Sequence, residues 1–224
     1  MSDLKELLSG NEAIARAAYD YGVKVAAAYP GTPSTEILEQ FSRYPGIYAE
    51  WAPNEKVALE VGIGASMAGA RTLVAMKHVG VNVAADPLLT FAYTGVNGGF
   101  VLVSADDPGS HSSQNEQDNR QYARFAKIPL LEPSDSQEAG DMVGLALQLS
   151  EQYDTPVMLR ITTRVAHSRS FVQKREPQPR ELRPYSRNPK KYLMLPAFAR
   201  ERRAFIEERL AGLKEYSETT PVNR

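Results

Sequence analysis

A carboxylate set at an apolar helix start is the first feature of this chain with chemical promise. Glu55 follows Asn54, a residue type that caps helices by accepting a backbone N–H, and precedes Val57, Ala58, Leu59 and Val61. An acid in a first helical turn is favoured by the aligned peptide dipoles whatever its function. The same placement holds a carboxylate rigid and partly dry, able to hydrogen-bond a ligand nitrogen. Glu60 is its rival on that helix. Asp106, Asp107, His111, Ser112 and Ser113 offer the residue types of a hydrolase triad, but such loops mainly satisfy their own backbone. Ser66, in G-A-S-M-A, lacks the second glycine of a nucleophile elbow. Gly62-Ile-Gly64-Ala-Ser-Met-Ala-Gly69 has its third glycine misplaced for a dinucleotide fingerprint. It lies within a helical pattern, where small residues allow close packing on a sheet. His78, His111 and His167 are too scattered to suggest a metal site, and each reads as a loop or surface residue.

The elements that position these residues alternate. Helices are expected over Asn11–Tyr21, Pro33–Ser42 (opened by its proline), Asn54 to about Ala68, Val83–Tyr93, Gln117–Phe125 and Ser136–Tyr153. Apolar runs predict strands at Val23–Tyr29, Ile47–Ala52, Thr72–Lys77, Phe100–Ser104, Leu130–Leu131 and Val157–Thr162. This order predicts an α/β fold, a doubly wound, mostly parallel sheet of about six strands with helices on both faces. Ligands in such sheets bind at the carboxyl ends of the strands. The loops to inspect are therefore Pro30–Pro33, Ala52–Glu55, His78–Asn82 and Ala105–Glu116.

Composition bounds the rest. The 224 residues suffice for one large domain with an appendage. No apolar run approaches the roughly 20 residues that span a bilayer, and the acidic, mixed N-terminus is no targeting signal. With no cysteine, the chain can supply neither a thiol nucleophile nor iron–sulfur ligands, and a cytoplasmic protein fits best. The net charge of −1 hides a split. Residues 1–170 hold 13 basic and 20 acidic residues; residues 171–224 hold 13 and 7. We therefore expect one domain over 1–170, then a basic, proline-rich arm with a helix at about 197–216. Glutamates interleave the basic residues and stacking aromatics do not, which argues against nucleic-acid binding.

Several segments together resemble the 2-oxoacid:ferredoxin oxidoreductases. Y-P-G-T-P-S-T-E (29–36) looks like the turn of their pyrimidine-binding domain, and E-K-V-A-L-E-V-G-I-G-A-S-M-A-G-A-R (55–71) like the helix bearing their thiamine-contacting glutamate. A-M-K-H-V-G-V-N-V-A-A-D-P-L (75–88) and A-D-D-P-G-S-H-S-S-Q-N-E-Q-D-N-R (105–120) are similar to the alpha-subunit branch of the indolepyruvate enzymes. The resemblance covers about residues 5–170. It implies a thiamine diphosphate fold in which Glu55 hydrogen-bonds the aminopyrimidine and favours the imino tautomer that takes the proton from the thiazolium carbon. It places Pro30, Gly31 and Thr32 at the cofactor, and His78, Asn82 and His111 near the substrate or a subunit contact. No metal ligand is expected here.

Two departures qualify that likeness. The arginine with which pyruvate-specific relatives hold the substrate carboxylate has no counterpart in Asn82–Tyr93, which points to an arylpyruvate such as indolepyruvate. The G-D-G motif for magnesium and the diphosphate is absent. The resemblance thus implies a pyrimidine half that is incomplete alone. Magnesium, 4Fe–4S clusters and coenzyme A would belong to a diphosphate-binding, iron–sulfur partner or a further C-terminal half. A beta subunit, ferredoxin and an oligomeric assembly are also implied. The alternatives are the small subunit of a non-oxidative decarboxylase of the sulfopyruvate or phosphonopyruvate type, and a non-catalytic scaffold.

Overall fold

The computed structural model describes residues 4–223. In chain order the elements are β1 (Lys5–Ser9), α1 (Gly10–Asp20), β2 (Val25–Ala28), α2 (Thr35–Phe41), β3 (Tyr48–Trp51), α3 (Glu55–Met67), β4 (Thr72–Lys77), α4 (His78–Val83) and α5 (Ala85–Thr94). Then follow β5 (Phe100–Asp106), α6 (Arg120–Ala126), β6 (Leu130–Leu131), α7 (Ser136–Tyr153), β7 (Val157–Thr162), α8 (Thr163–His167), β8 (Arg169–Gln173), α9 (Pro189–Tyr192) and α10 (Pro196–Thr219).

The expected α/β architecture is present. Six strands form one parallel sheet in the order β3-β2-β4-β5-β7-β6. Side chains alternate across it, as the two-residue period of a strand requires. Ala26, Leu73, Val101, Val103, Leu159 and Ile161 face a core completed by α1, α2 and α7. Ala27, Val74, Met76, Leu102 and Met158 face the opposite core, under α3, α4, α5 and α6. Gly62 explains how closely α3 sits: a Cβ there would strike Val74, and would lie 3.0 Å from Phe100. The glycines of this helix serve packing rather than phosphate.

Two expectations needed correction. Pro33 does not open α2. It ends a turn whose Thr32–Pro33 peptide is cis, and the Ser34 N–H donates to Gly31 O at 2.8 Å before the helix begins. His78–Asn82 is not a loop but α4, and His78 is fully buried instead of lying on a loop or surface. Glycine and asparagine disfavour that helix locally, yet burial of His78 and Val81 overrides propensity. Beside the main sheet, β1 and β8 pair as a two-stranded antiparallel ribbon.

The basic tail wraps the amino edge of the sheet. The Gln178 N–H donates to Asp20 O at 2.7 Å, and the Arg183 N–H to Gly69 O at 3.0 Å. Arg183 also joins Arg71 on Glu151, each at 2.7 Å. Burial would raise the Glu151 carboxyl, but these two cations and the Gly99 N–H hold it below its ordinary range. Lys191 and Arg202 converge on Asp154 at 2.8 and 3.0 Å. Arg209, almost fully buried, donates to the backbone oxygens of Asp154, Ala92 and Lys127 and so pins α10. The opposite charges of the two regions thus meet within one chain. Among the described residues, no hydrogen bond or ion pair joins the arm to residues 29–34 or 78–83, which follow β2 and β4.

Candidate functional site

Strand order selects one crevice on the carboxyl edge of the sheet. After β2 the chain turns to β3 on one side; after β4 it turns to β5 on the other. The gap between the carboxyl ends of β2 and β4 is therefore the topological switch point, where open α/β sheets take their ligands. Gly31 and Thr32 follow β2, and a Cβ on Gly31 would stand 3.1 Å from Lys77 Cβ at the end of β4. Beneath the turn, buried Asn11 donates from Nδ2 to Pro33 O at 2.8 Å and to Glu36 Oε2 at 2.9 Å. Pro30 and Thr32 are exposed, and Gly31 is half-buried.

Glu55 enters the same crevice from α3. Asn54 caps the helix as expected, its Oδ1 accepting the Val57 N–H at 3.0 Å. Glu55, the first helical residue, is half-buried and has no hydrogen bond or ion pair among the described residues. It lies against Gly80 of α4, where an added Cβ would come within 2.6 Å of both its Cγ and Oε1. Glu60 is exposed on the outer face, 4.0 Å from Lys56, which ion-pairs with Asp86 at 3.1 Å. The structure thus separates the rivals: only Glu55 faces the crevice.

The 107–119 loop roofs the neighbouring ground. His78 Nε2 lies 3.2 Å from Asn115 O, which fixes Nε2 as the donor and leaves Nδ1 buried without a partner among the described residues. The His78 carbonyl accepts from Gln117 Nε2 and Asn119 Nδ2 at 2.9 and 3.0 Å. Asn82 does not project freely toward a substrate: its amide pairs with that of Gln117 and accepts from the Tyr122 hydroxyl at 2.6 Å. His111 is exposed at the loop's far end, beside β7 rather than Glu55. At this edge Gly31 of the turn stands against Lys77, and Glu55 against Gly80 of α4, the helix that follows Lys77 directly, while His111 lies beside β7.

Below the loop lies an ionic cluster that the sequence reading overlooked. Arg160, buried in β7, donates to Asp106 Oδ2 at 2.7 Å, pairs with Glu132, and lies 3.7 Å from Asp118. Asp106 also accepts the Asn119 N–H at 3.1 Å. A lone arginine in V-M-L-R-I-T was the available signal, because a buried cation requires acids around it. Gly80, the neighbour that lets Glu55 settle, was likewise missed.

Asp107 behaves as the self-satisfied loop residue expected. Burial alone would raise its carboxyl, yet Ser113 Oγ, the Ser112 N–H, Thr163 Oγ1 and the His111 backbone hold it far below the usual carboxylate range. A depressed folded-state value adds stability above the unfolded value, near pH 4, and loses it as pH falls further. Denaturant melts are expected to show an acid-side decline below about pH 4 that shrinks in Asp107→Asn. An identical decline in the variant would assign it elsewhere.

Residues 16–208 match the family described as pyruvate flavodoxin/ferredoxin oxidoreductase, thiamine diphosphate-binding. The chain belongs to that family. An indolepyruvate oxidoreductase subunit IorA from Archaeoglobus fulgidus is 48% identical, covering 98% of this chain and 37% of that protein. The IorA of Pyrococcus horikoshii is 46% identical over 98% of this chain and 35% of its own length. A 2-oxoglutarate synthase subunit KorA from Methanothermobacter thermautotrophicus is 31% identical over 74% of this chain and 46% of that subunit. The chain spans little more than a third of the IorA relatives. In structure it resembles the 2-oxoglutarate:ferredoxin oxidoreductase of Magnetococcus marinus, with a TM-score of 0.76 and 16% identity over 95% of this chain and 45% of that one. This likeness shows the oxidoreductase family fold. Among the described residues, no helix is long and apolar enough to cross a membrane.

Proposed function

We propose that this chain is the pyrimidine-binding part of a thiamine diphosphate-dependent 2-oxoacid:ferredoxin oxidoreductase, with an arylpyruvate such as indolepyruvate as substrate. The observation that carries this reading is Glu55, a half-buried carboxylate without a partner among the described residues, held at the switch point against Gly80. The donor set fits an aminopyrimidine: a fixed carboxylate to accept from a ring N–H, an exposed turn at Pro30–Thr32, and glycines where a Cβ would fill the space. When bound, the cofactor supplies the acidic thiazolium carbon and the electron sink that 2-oxoacid decarboxylation needs. Glu55 holds the proton at the ring nitrogen, and α3 keeps its carboxylate from swinging away. Thr32 lines the cofactor side of the turn. His78 keeps α4 and the 107–119 loop together.

The substrate class rests on the IorA relatives at 46–48% identity, against 31% for the 2-oxoglutarate synthase subunit. With no cysteine in the chain, 4Fe–4S clusters belong to a partner subunit or a further part of the protein, together with the magnesium–diphosphate and coenzyme A sites. Residues 1–170 form the cofactor-binding domain and 171–224 its arm. Ferredoxin takes the electrons, and the assembly contains more than this chain. The test is turnover of indolepyruvate by the assembled enzyme, with coenzyme A and ferredoxin. Ferredoxin reduction matched by acyl-CoA is expected; carbon dioxide release without reduction would make it a non-oxidative decarboxylase, and no turnover a scaffold.

The closeness of Gly80 to Glu55 gives a sharper check. Gly80→Ala places a methyl group against the carboxylate and is expected to slow turnover about a hundredfold by displacing it roughly 1 Å. Unaltered kcat in that variant would mean that the position of Glu55 does not matter.

A further inference from the structure

Asn119 ends the 107–119 loop completely buried, with both polar atoms of its side chain engaged. Its Nδ2 donates to Ser104 Oγ at 2.8 Å and to His78 O at 3.0 Å, while its Oδ1 accepts from Gln117 Nε2 at 2.9 Å. Its backbone N–H donates to Asp106 Oδ2 at 3.1 Å. The two N–H bonds of one planar amide therefore join two elements. Ser104 belongs to β5, a strand buried along its whole length, and His78 begins α4. Asp106, the other anchor on β5, is held in turn by Arg160.

α4 needs such an anchor. It has six residues, and Lys77 at its N-cap makes no side-chain capping bond. A helix that short has little stability of its own, so its place is set by what grips it from outside. At its first residue the grip is Asn119 and Gln117 on the His78 carbonyl, with Asn115 O on the His78 ring. Two residues on, Gly80 lies against the Glu55 carboxylate. A shift at His78 thus reaches Glu55 within one helical turn.

We propose that Asn119 is a positioning residue for the proton chemistry of Glu55. Its amide ties α4 to β5 and so sets the Gly80 surface on which the Glu55 carboxylate rests. Sealed from solvent, it acts through α4 and not by touching a ligand. The assignment rests on the pyrimidine-binding reading and adds the support that holds its carboxylate in place.

In the assembled enzyme, Asn119→Ala is expected to slow deuterium exchange at the thiazolium carbon about tenfold, through a displacement of Glu55 well under 1 Å. In a Glu55→Gln background the same substitution should slow exchange no further, because both act through one carboxylate. Ser104→Ala is the structural control. It removes a buried hydroxyl from the same cluster but leaves the bond to His78 O, so it should lower the melting temperature without slowing the thiazolium exchange. In the full chain without cofactor, backbone amide exchange over residues 78–83 should quicken in Asn119→Ala and keep its wild-type rate in Ser104→Ala. Gln117→Ala, at a half-buried position, removes the second donor to His78 O and should slow thiazolium exchange less, at an unchanged melting temperature; it decides the matter where Asn119→Ala does not assemble. Wild-type thiazolium exchange in both variants, equal slowing in Ser104→Ala, or a full further loss on top of Glu55→Gln would each overturn the assignment. Wild-type exchange in Glu55→Gln alone would instead remove the pyrimidine-binding reading on which it rests.

Discussion

Replacing Glu55 by glutamine in the assembled enzyme should lower kcat for indolepyruvate decarboxylation by about 10²- to 10⁴-fold, the range set by a lost general acid–base group. Glutamine keeps the length of the side chain and can still hydrogen-bond, but it cannot hold the proton at the ring nitrogen. The effect should fall on kcat, because the substitution leaves the turn at Pro30–Thr32 untouched. Stability should hardly change, since Glu55 has no hydrogen bond or ion pair among the described residues that the substitution could break. A stopped-flow assay of ferredoxin reduction, with a thermal melt alongside, separates the two effects. Loss of activity with loss of melting temperature would speak for a structural role. Full activity would move the chemistry to another residue.

The largest expected effect on stability lies at Arg160. Its side chain is 6% exposed, Asp106 is 1% exposed, and the two meet at 2.7 Å beside Glu132. Removing one partner of a buried pair strands the other charge, at a cost of about 3–5 kcal/mol. Arg160→Ala leaves Asp106 without its cation, although Ser104 Oγ and the Asn119 N–H still donate to it. Asn119 also holds the His78 carbonyl, so the disturbance should spread to the 107–119 loop and α4. Urea unfolding is expected to show the full loss, with faster backbone exchange in that loop. A change under about 1 kcal/mol would mean that solvent already reaches the pair.

Much of the fold could be read because its signals are local. β4 and β5 are nearly continuous apolar runs and β7 is one broken by Arg160, the mark of strands buried on both faces. Asn54 marked its helix start, since a cap is decided within a few residues. Glu55 was legible for the same reason, its polarity standing out before an apolar helix. Thr32 emerged only through family resemblance, because an exposed threonine in a turn carries no signal of its own.

What stayed hidden depends on distant parts of the chain. K-E-L-L-S gives no sign that it will pair with Arg169–Gln173, more than 150 residues later. The burial of His78 follows from Asn115 and the roofing loop, not from its neighbours in sequence. Gly80 matters because Glu55 of another helix lies against it, and Arg209 because it finds three carbonyls on the body. The charge split also gains a different meaning. It marks an arm bound to its own domain, at the amino edge through Asp20 and Gly69 and along the body through Asp154.

The central claim is that Glu55 governs the proton at the thiazolium carbon. The most direct measurement is hydrogen–deuterium exchange at that carbon, followed by acid quench and proton NMR of the cofactor released from the assembled enzyme. The account predicts fast exchange in the wild type and a fall of about 10²-fold or more in Glu55→Gln. Equal exchange rates in the two proteins would contradict it.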